Sequence, residues 1–513
     1  MPSQPVWATP RHVALFIAAY LLVHLCVRLW MGSALGFDDA EQALFAQHWL
    51  PSYRLRAPPL FTWALVAVSR VVDVGALSIS LLRYILLAML FGFSYLTARR
   101  LIRDPSLAAL ATFSFTAIYV FGYYSHHDLT HTTALSAFLA ASWYVFVRLC
   151  EAPSLRWYLA LGLCFGLGIL GKWNFVIFAV ALPLACIASP TYRGLVLTWR
   201  IVPAALVTAA VALPSALWIL YMGSAPGDDI GGVLAQQKGP LLLILAKGTA
   251  SLGLAVLVYP LPFLGIFLLI FGGQAWRGLR QPEPAAQVVQ PIPDITLIGM
   301  VMAIAIALHW LLVPLVGATH FPERLLQPAL LILPIFLFML VDRGLPQARA
   351  VRNYALALAA LAGIALLARV GVHAAGGDYC RRVCRDLVPV EEIATGLRNA
   401  GFLGKGTIVV RDLHLGGNLR VQFPAARVME IGYPARVWPK PSGTGQCLAI
   451  WTEYNGPVEH TRGQIHSYLA KELGVSSDAP RREGVVAANL HGSKTRSYRV
   501  FYGLYESPQG ECR

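Results

Sequence analysis

Charged side chains are scarce in this chain: they make up 13% of its 513 residues, and only 26 residues are acidic. About a quarter of the residues of an ordinary soluble domain are charged. Hydrophobic residues reach 57%, and the mean hydropathy is +0.59. These values exclude an ordinary soluble globular protein and indicate a chain with many membrane helices.

The scarcity of acidic residues leaves a formal net charge of +15. In a soluble protein, such an excess would suggest a nucleic-acid partner. Here the arginines lie in short loops between apolar segments, as the positive-inside rule requires of a membrane protein. We therefore expect no nucleic-acid partner. The first apolar stretch also lacks a small-residue cleavage site, which predicts a retained membrane anchor.

About 11 apolar segments approach the length of roughly 20 residues that a membrane helix needs. The segment at 60–72 is apolar but too short to span, so we expect it to lie in the membrane interface. The run at 241–271 contains Pro260 and Pro262, which predict a kink or a break. The predicted spans are 12–31, 76–98, 106–123, 130–149, 157–171, 173–189, 200–221, 241–271, 295–316, 323–341 and 352–370.

The arginines divide the loops into two alternating sets. Loops such as 99–103 and 343–352 are rich in arginine and are predicted to face the cytoplasm. The other loops must then face outward, and they hold the unusual polar clusters of the chain. These clusters are Asp38-Asp39, 123–133, Lys172, 223–240 and 319–324. Because they fall on one side of the membrane, we expect them to share a site.

Residues 371–513 differ in composition from the rest of the chain. Strand-like runs at 407–411, 447–451 and 498–502 alternate with helix-like stretches at 390–399 and 463–473, which predicts a small α/β domain. An odd number of spans from a cytoplasmic N-terminus places this domain outside the cytoplasm.

The cysteines agree with that placement. The C-terminal region has four, an even number, as expected in an oxidising compartment. The spacing of two of them would also suit zinc, although no second spaced pair supports a zinc site. The four are Cys380, Cys384, Cys447 and Cys512.

The stretch at 37–63, FDDAEQALFAQHWLPSYRLRAPPLFTW, follows the first predicted span. One aspartate would be enough to cap the short amphipathic run that begins at Ala40. Two aspartates, Asp38 and Asp39, followed by Glu41 create a negative charge density that favours a cation, a proton or a sugar hydroxyl. Carboxylates at a membrane face are unfavourable, so we predict a functional role for them.

Three outward-facing features suit an anion. The guanidinium of Arg56 fits a phosphate, with a headgroup-anchoring arginine as an equal alternative. Lys172 lies between two apolar runs, where a snorkelling lysine is the alternative. His320, Glu323 and Arg324 stand at the start of a late apolar segment, where a helix N-terminus would favour phosphate.

The loop at 123–131 contains side chains that bind divalent metals elsewhere: His126, His127, Asp128 and His131. Interfacial histidines are also often simply solvated. The sequence therefore leaves the metal unknown, with a divalent cation as an open alternative.

These motifs follow one another in a set order and lie on one side of the membrane. In both respects they resemble the motifs of the polyprenyl-phosphate-sugar-dependent glycosyltransferases of the GT-C fold. The likeness is to the bacterial protein-mannosyltransferase-like and aminoarabinose-transferase-like group. The family pattern of Asp-Glu-Ala, then Pro-Pro-Leu and Trp, is matched by Asp38 and Ala40, with Asp39 in place of the usual glutamate, and by Pro58-Pro59-Leu60 and Trp63. Arg56-Ala57 departs from a Glu-Lys pair of the aminoarabinose transferases, and Leu325 replaces a family tyrosine.

The resemblance covers about residues 1–340 and implies a GT-C transmembrane catalytic domain at 1–370. Its loop at 32–75 would carry interfacial helices, and 371–513 would form the periplasmic α/β domain. The catalytic carboxylates would be Asp38 and Asp39, with Asp38 serving the acceptor hydroxyl. The residues at the donor phosphate would be Arg56, Asp128, Lys172, His320 and Arg324.

We therefore expect an inner-membrane enzyme that moves a sugar from a polyprenyl monophosphate to a lipid or polysaccharide acceptor at the periplasmic face. Lipopolysaccharide core or lipid A is the expected acceptor, and membrane lipids surround the protein. Protein O-mannosylation is a second enzymatic alternative. A polytopic lipid or sugar transporter is a third, although transporters place charges at the bilayer midplane and often show repeated halves, and neither is visible here. The loop motifs disfavour a scaffold built on the C-terminal domain.

Overall fold

The computed structural model describes residues 6–54, 56–222, 234–235, 239–281, 292–380, 384–475, 482–505 and 512. Apolar helices form most of the first 375 residues, and the rest folds around one sheet. The helices of the first part are α1 (Pro10–Trp30), α2 (Phe37–Phe45), α3 (Leu60–Val68), α4 (Ala76–Leu101), α5 (Pro105–Phe113), α6 (Tyr119–Gly122), α7 (Thr130–Glu151), α8 (Leu155–Gly171), α9 (Phe175–Ala188), α10 (Ile201–Met222), α11 (Leu241–Val258), α12 (Phe263–Arg280), α13 (Ile295–Val316), α14 (Gln327–Leu330), α15 (Leu333–Arg343) and α16 (Ala348–Ala375). The C-terminal helices are α17 (Val390–Asn399), α18 (Leu413–Gln422) and α19 (Val458–Leu473).

Seven of the described helices are long and apolar enough to cross a membrane, namely α1, α4, α7, α10, α11, α13 and α16. The segments 323–330 and 333–343 form one further candidate span, bent by 48°. Shorter apolar helices, α5, α8 and α9, occupy the remaining predicted spans. The prediction of a polytopic helical protein is confirmed, with a helix count close to the one expected.

Two local predictions can be compared directly with the helices. The run at 241–271 is broken, as its prolines predicted: α11 ends before Pro260, and α12 begins after Pro262. The second helix continues to Arg280, beyond the predicted end. The apolar segment after Pro59 forms α3, whose nine residues extend about 14 Å, too short to cross a bilayer.

The C-terminal part is built on a five-stranded sheet in the order β2-β1-β3-β5-β4. β1 is parallel to β2 and β3, whereas β5 is antiparallel to β3 and β4. Ile408 in β1 pairs with Val428 on one side and Leu448 on the other, so the parallel centre is apolar and buried. The strands are β1 (Gly406–Val410), β2 (Ala426–Glu430), β3 (Gln446–Thr452), β4 (Arg482–Asn489) and β5 (Ser497–Tyr505).

Two disulfides form in this part of the chain, Cys380–Cys384 and Cys447–Cys512. The first uses the pair whose spacing would also have suited zinc, so its sulfur atoms are bonded to each other. The second joins the start of β3 to Cys512, near the chain end. The other four cysteines, Cys26, Cys150, Cys164 and Cys186, are free.

The first outward loop and the C-terminal part share one core, because α2 lies directly against α18. A Cβ atom on Gly417 would lie 1.8 Å from the carbonyl oxygen of Ala40, so only glycine permits this approach. The Oδ1 atom of Asn418 accepts a hydrogen bond from the Leu35 N–H at 2.9 Å. Beyond α2, Gln47 makes two hydrogen bonds of 2.8 Å with the backbone of Val428 in β2. The first outward loop is therefore held in place by the C-terminal sheet as well as by the membrane helices.

Candidate functional site

Asp38 and Asp128 meet where the first loop touches the loop before α7. The backbone N–H of Asp38 donates to Oδ1 of Asp128 at 2.9 Å. Gly36 permits this contact, since a Cβ atom there would lie 2.9 Å from the carbonyl oxygen of His127. Two predicted site residues that are 90 positions apart in sequence are thus brought together.

The Asp38 carboxylate is half-buried. Within the part of the chain that the structure describes, it has no hydrogen-bond or ion-pair partner. A carboxylate in this state is available to a ligand, because it need not first leave a protein partner. This is the arrangement that a general base requires.

Asp39 has different surroundings from its neighbour. Its side chain is fully buried and forms an ion pair with Arg83 of α4, which is also fully buried. Arg28 contributes a second positive charge nearby. These contacts favour a positioning role, in which Asp39 holds α2 against the membrane helices, and a direct catalytic role for Asp39 stays a prediction.

Polar contacts also hold the next turn of α2 in place. Glu41 forms an ion pair with Arg54 at 2.5 Å and lies 3.8 Å from Nε2 of His131. Gln42 is within 2.9 Å of the same Nε2 atom and accepts a hydrogen bond from Thr62 of α3. Polar contacts therefore connect α2 with its own loop, with α3 and with α7.

The environment of Asp128 favours its protonated form. Burial is the largest cause that raises the pKa of this carboxyl well above its usual range, and the negative charges of Asp38, Asp39 and Asp386 raise it further. Both causes disfavour the charged form of Asp128. In the structure, this carboxyl binds the backbone of Asp38.

Lys172 lies in the turn between α8 and α9, and its Nζ donates to Oγ1 of Thr132 at 3.0 Å. Burial lowers the pKa of this ammonium group to about 8, the positive charge of Arg324 lowers it further, and Asp38 and Glu323 oppose the change. Lys172, Arg324 and Asp38 are therefore close enough to interact electrostatically.

Side-chain hydrogen bonds to one backbone carbonyl hold the turn of Lys172 next to the turn of Arg324. Nδ2 of Asn174 donates to the carbonyl oxygen of Leu325 at 3.0 Å. The buried His309 of α13 lies 3.0 Å from the same oxygen through its Nε2 atom. The two turns are thus fastened to each other and to α13.

Tyr124 is a further residue of this cluster. Burial raises its pKa to about 12, Asp128 raises it further, Arg324 lowers it, and Asp38 raises it. The phenol thus interacts electrostatically with Asp38 and Arg324, the two residues that also act on Lys172. The sequence feature that points to Tyr124 as a site residue is its position within the polar loop 123–131.

The other two predicted donor-site residues, Arg56 and His320, are both exposed. Arg56 is exposed in the turn before Ala57. His320 is also exposed, and its backbone N–H donates to the carbonyl oxygen of Leu234 at 3.1 Å. Convergence of Arg56 with Lys172 and Arg324 stays a prediction. Most of the predicted outward loop at 223–240 lies outside the described residues.

The histidines of the loop have separate partners. His126 stacks on His24 with ring centroids 3.7 Å apart and lies 2.9 Å from the Tyr20 hydroxyl. His127 lies 3.9 Å from Asp386. The residues described contain no group of three or more His, Cys, Asp or Glu side chains placed to hold a metal ion. The possible divalent cation therefore stays an open prediction.

An apolar groove of about 590 Å³ runs beside the polar cluster, between α7, α8, α9 and α10. Trp173, which directly follows Lys172, lines it, and Leu195 and Val196 line it beyond the other end of α9. Gly162 lets α8 pack closely on α10 at this groove, since a Cβ atom there would lie 2.3 Å from the carbonyl oxygen of Ala204. The apolar lining of the groove suits a hydrocarbon chain.

Known proteins are similar to this chain in both sequence and structure. Residues 56–218 match the family model of dolichyl-phosphate-mannose-protein mannosyltransferase. The chain is 29% identical to the lipopolysaccharide core galacturonosyltransferase RgtA of Rhizobium johnstonii, over 86% of this chain and 87% of that protein. It is 27% identical to RgtB of the same organism, over 96% and 97%.

The solved structure of ArnT from Cupriavidus metallidurans bound to undecaprenyl phosphate superposes with a TM-score of 0.58 at 16% identity, covering 98% of this chain and 99% of that one. The chain is a glycosyltransferase of the GT-C fold. The arabinofuranosyltransferase AftD from Mycobacteria is also similar, with a TM-score of 0.52 at 14% identity over 99% of this transferase and 40% of that chain. The resemblance predicted from the loop motifs is confirmed.

The two aspartates of this transferase should respond differently to substitution. We expect Asp38→Asn to lower sugar transfer by at least about 10²-fold at an unchanged Tm, because a half-buried carboxylate contributes little packing. Asp39→Asn should lower the stability by about 3–5 kcal/mol, because it leaves Arg83 buried without its ion pair. Thermal unfolding in detergent and a transfer assay measure both effects.

The exposed Asp73 of the same loop provides the matched control, and Asp73→Asn should change neither quantity. Normal transfer by Asp38→Asn at a normal protein level would remove Asp38 from the catalytic role.

The pKa of Lys172, about 8, predicts a pH dependence of donor use. Lys172 is charged below its pKa, so its attraction for an anionic donor is present at lower pH and is lost as the pH rises through about 8. In kcat/KM for the donor, which reports the free enzyme, we expect a decline at this pH. Lys172→Arg should remove the decline, because an arginine stays charged.

Arg324→Gln provides an internal check on the cause. It removes a neighbouring positive charge that lowers the pKa of Lys172, so the decline should move to higher pH. An unchanged pH profile in Lys172→Arg would show that another group titrates.

Proposed function

We propose that this enzyme transfers a sugar from a polyprenyl monophosphate to a lipopolysaccharide acceptor, core or lipid A, at the periplasmic face of the inner membrane. One observation carries the proposal: Lys172 interacts electrostatically with both the half-buried Asp38 carboxylate and the positive charge of Arg324. A base next to a phosphate-binding pair is what transfer from a sugar phosphate to a hydroxyl requires.

The reaction then follows from the charges. The acceptor hydroxyl attacks the anomeric carbon, and Asp38 takes its proton. The bond between the anomeric carbon and the phosphate oxygen breaks, and the electron pair leaves with the polyprenyl phosphate. Lys172 and Arg324 stabilise the negative charge that develops on this phosphate. If the acceptor group is itself a phosphate, no base is needed, and Asp38 positions the substrate.

The apolar groove supports a polyprenyl donor in particular. Its lining is almost entirely hydrocarbon, and it begins at Trp173, one residue from the lysine that would bind the phosphate. A donor with a long isoprenoid chain fits both features at once, because the chain occupies the groove while the phosphate meets Lys172. A nucleotide sugar would use only the polar part.

The similarity to RgtA and RgtB favours lipopolysaccharide core as the acceptor and a uronic acid as the transferred sugar. The match of residues 56–218 to the protein mannosyltransferase family model supports a second candidate, transfer of mannose to protein. The full-length extent of the RgtA and RgtB similarity makes the lipopolysaccharide acceptor our first choice.

The periplasmic location has two supports. Arginine-rich loops such as 99–103 alternate with the loops that carry Asp38, Lys172 and Arg324, so these residues fall on the side opposite to the positive one. The disulfides of the C-terminal part, such as Cys447–Cys512, suit an oxidising compartment.

Transfer of radiolabelled sugar tests the proposal directly. The purified enzyme would be incubated with polyprenyl-phosphate galacturonate or polyprenyl-phosphate mannose, together with extracted lipopolysaccharide or with periplasmic protein. We expect label from the galacturonate donor in lipopolysaccharide, and none with Asp38→Asn. Label in protein from the mannose donor would favour the second candidate, and label in neither acceptor from either donor would contradict both.

A further inference from the structure

A second polar site lies in the C-terminal part of the enzyme, in a cavity of about 620 Å³. Arg411, which follows β1, and Glu430, which ends β2, line its floor, and α19 lines one wall. Both residues lie at the carboxyl ends of parallel strands. Open α/β sheets bind their ligands outside the carboxyl ends of their strands.

The floor of the cavity has polar groups available to a ligand. Glu430 is buried, and its Oε2 accepts a hydrogen bond from the Gly432 N–H at 2.9 Å. Burial raises the pKa of this carboxyl to about 8, so it is largely protonated at neutral pH and can donate a hydrogen bond. On α19, Oε1 of Gln464 is buried and has no hydrogen-bond partner among the described residues.

The charge of the cavity favours an anion. Arg411 and Lys471 contribute two positive charges. Glu430 is mostly neutral, and Glu472 accepts a hydrogen bond from the Ala435 N–H at 3.2 Å. The net charge at neutral pH is therefore positive. Donors and acceptors in one cleft, next to the buried ring of Tyr468, suit a polyhydroxylated ligand that also carries negative charge.

The cavity is connected to the catalytic loop through α2. Phe45, the last residue of α2, packs edge-to-face on Tyr433 of the cavity wall, with ring centroids 5.6 Å apart. Asp38 lies at the other end of the same helix. Nine residues of helix extend about 14 Å, so the two sites are separated by about one short helix.

We propose that this cavity binds an acidic sugar of the acceptor glycan, at a position away from the hydroxyl that receives the new sugar. The inference rests on the proposed function, since it takes the acceptor to be a glycan. Binding of a remote part of the acceptor would orient its reactive hydroxyl at Asp38. It would also select acceptors that carry a carboxylate or phosphate at the correct distance.

Direct binding to the full-length enzyme in detergent tests the site. The probes are trigalacturonate, which is acidic, and maltotriose, which is neutral, measured by isothermal titration calorimetry. We expect the enzyme to bind trigalacturonate more tightly than maltotriose, and Lys471→Glu to weaken trigalacturonate binding by about tenfold or more because a cation becomes an anion. Lys471 is exposed on α19, so the variant should fold normally. Lys405→Glu, an exposed lysine at the amino end of β1, is the matched control and should bind as the wild type does.

The transfer assay adds a second readout, in which Lys471→Glu should raise KM for the acceptor and leave KM for the donor unchanged. Equal binding of both trisaccharides, or trigalacturonate binding that Lys471→Glu does not weaken, would overturn the inference. The calorimetric result does not require a donor. Charge-selective binding without any sugar transfer would therefore contradict the proposed function while supporting the cavity as a glycan site.

Discussion

The contact between α2 and α18 is the constraint on which the site depends. A helix of nine residues would not hold a fixed position at a membrane surface alone, since isolated helices of this length are marginal in water. Gly417 allows the backbone of α18 to reach the Ala40 carbonyl, and the C-terminal sheet holds α18. The C-terminal part of the enzyme therefore supports the loop that carries Asp38.

A buried ion pair also fixes how α2 is oriented at this contact. An ion pair such as Asp39–Arg83 contributes little net stability, because its attraction must offset the desolvation of both groups. Breaking it is strongly unfavourable, however, since one charge is then left buried alone. The pair thus fixes the rotation of α2, which carries the adjacent Asp38. Asp128 adds to this arrangement by accepting a hydrogen bond from the Asp38 backbone.

Much of the fold could be predicted from the sequence, because long apolar runs and arginine-rich loops are local signals. The pairing of distant residues could not. Nothing in the spacing shows that Asp39 meets Arg83, although an arginine inside an apolar helix is itself a signal of function or of a buried partner. β4 was missed because it is a largely exposed strand with several small residues, and β2 because its composition is mixed. Asp38, Asp128, Lys172 and Arg324 are predicted as site residues because polar residues in outward loops are rare in so apolar a chain, and the structure brings Asp38 and Asp128 into contact.

The most direct measurement for the role of the C-terminal part is the kinetics of Gly417→Ala, with Gly463→Ala as the control. A Cβ atom at Gly417 would lie 1.8 Å from the Ala40 oxygen, whereas one at Gly463 of α19 would have nothing within 4 Å. Moving α2 displaces Asp38, but Lys172 and Arg324 lie on other elements. The account predicts a lower kcat for Gly417→Ala, a nearly unchanged donor KM, and wild-type values for Gly463→Ala. An unchanged kcat in Gly417→Ala, at a normal protein level, would contradict it.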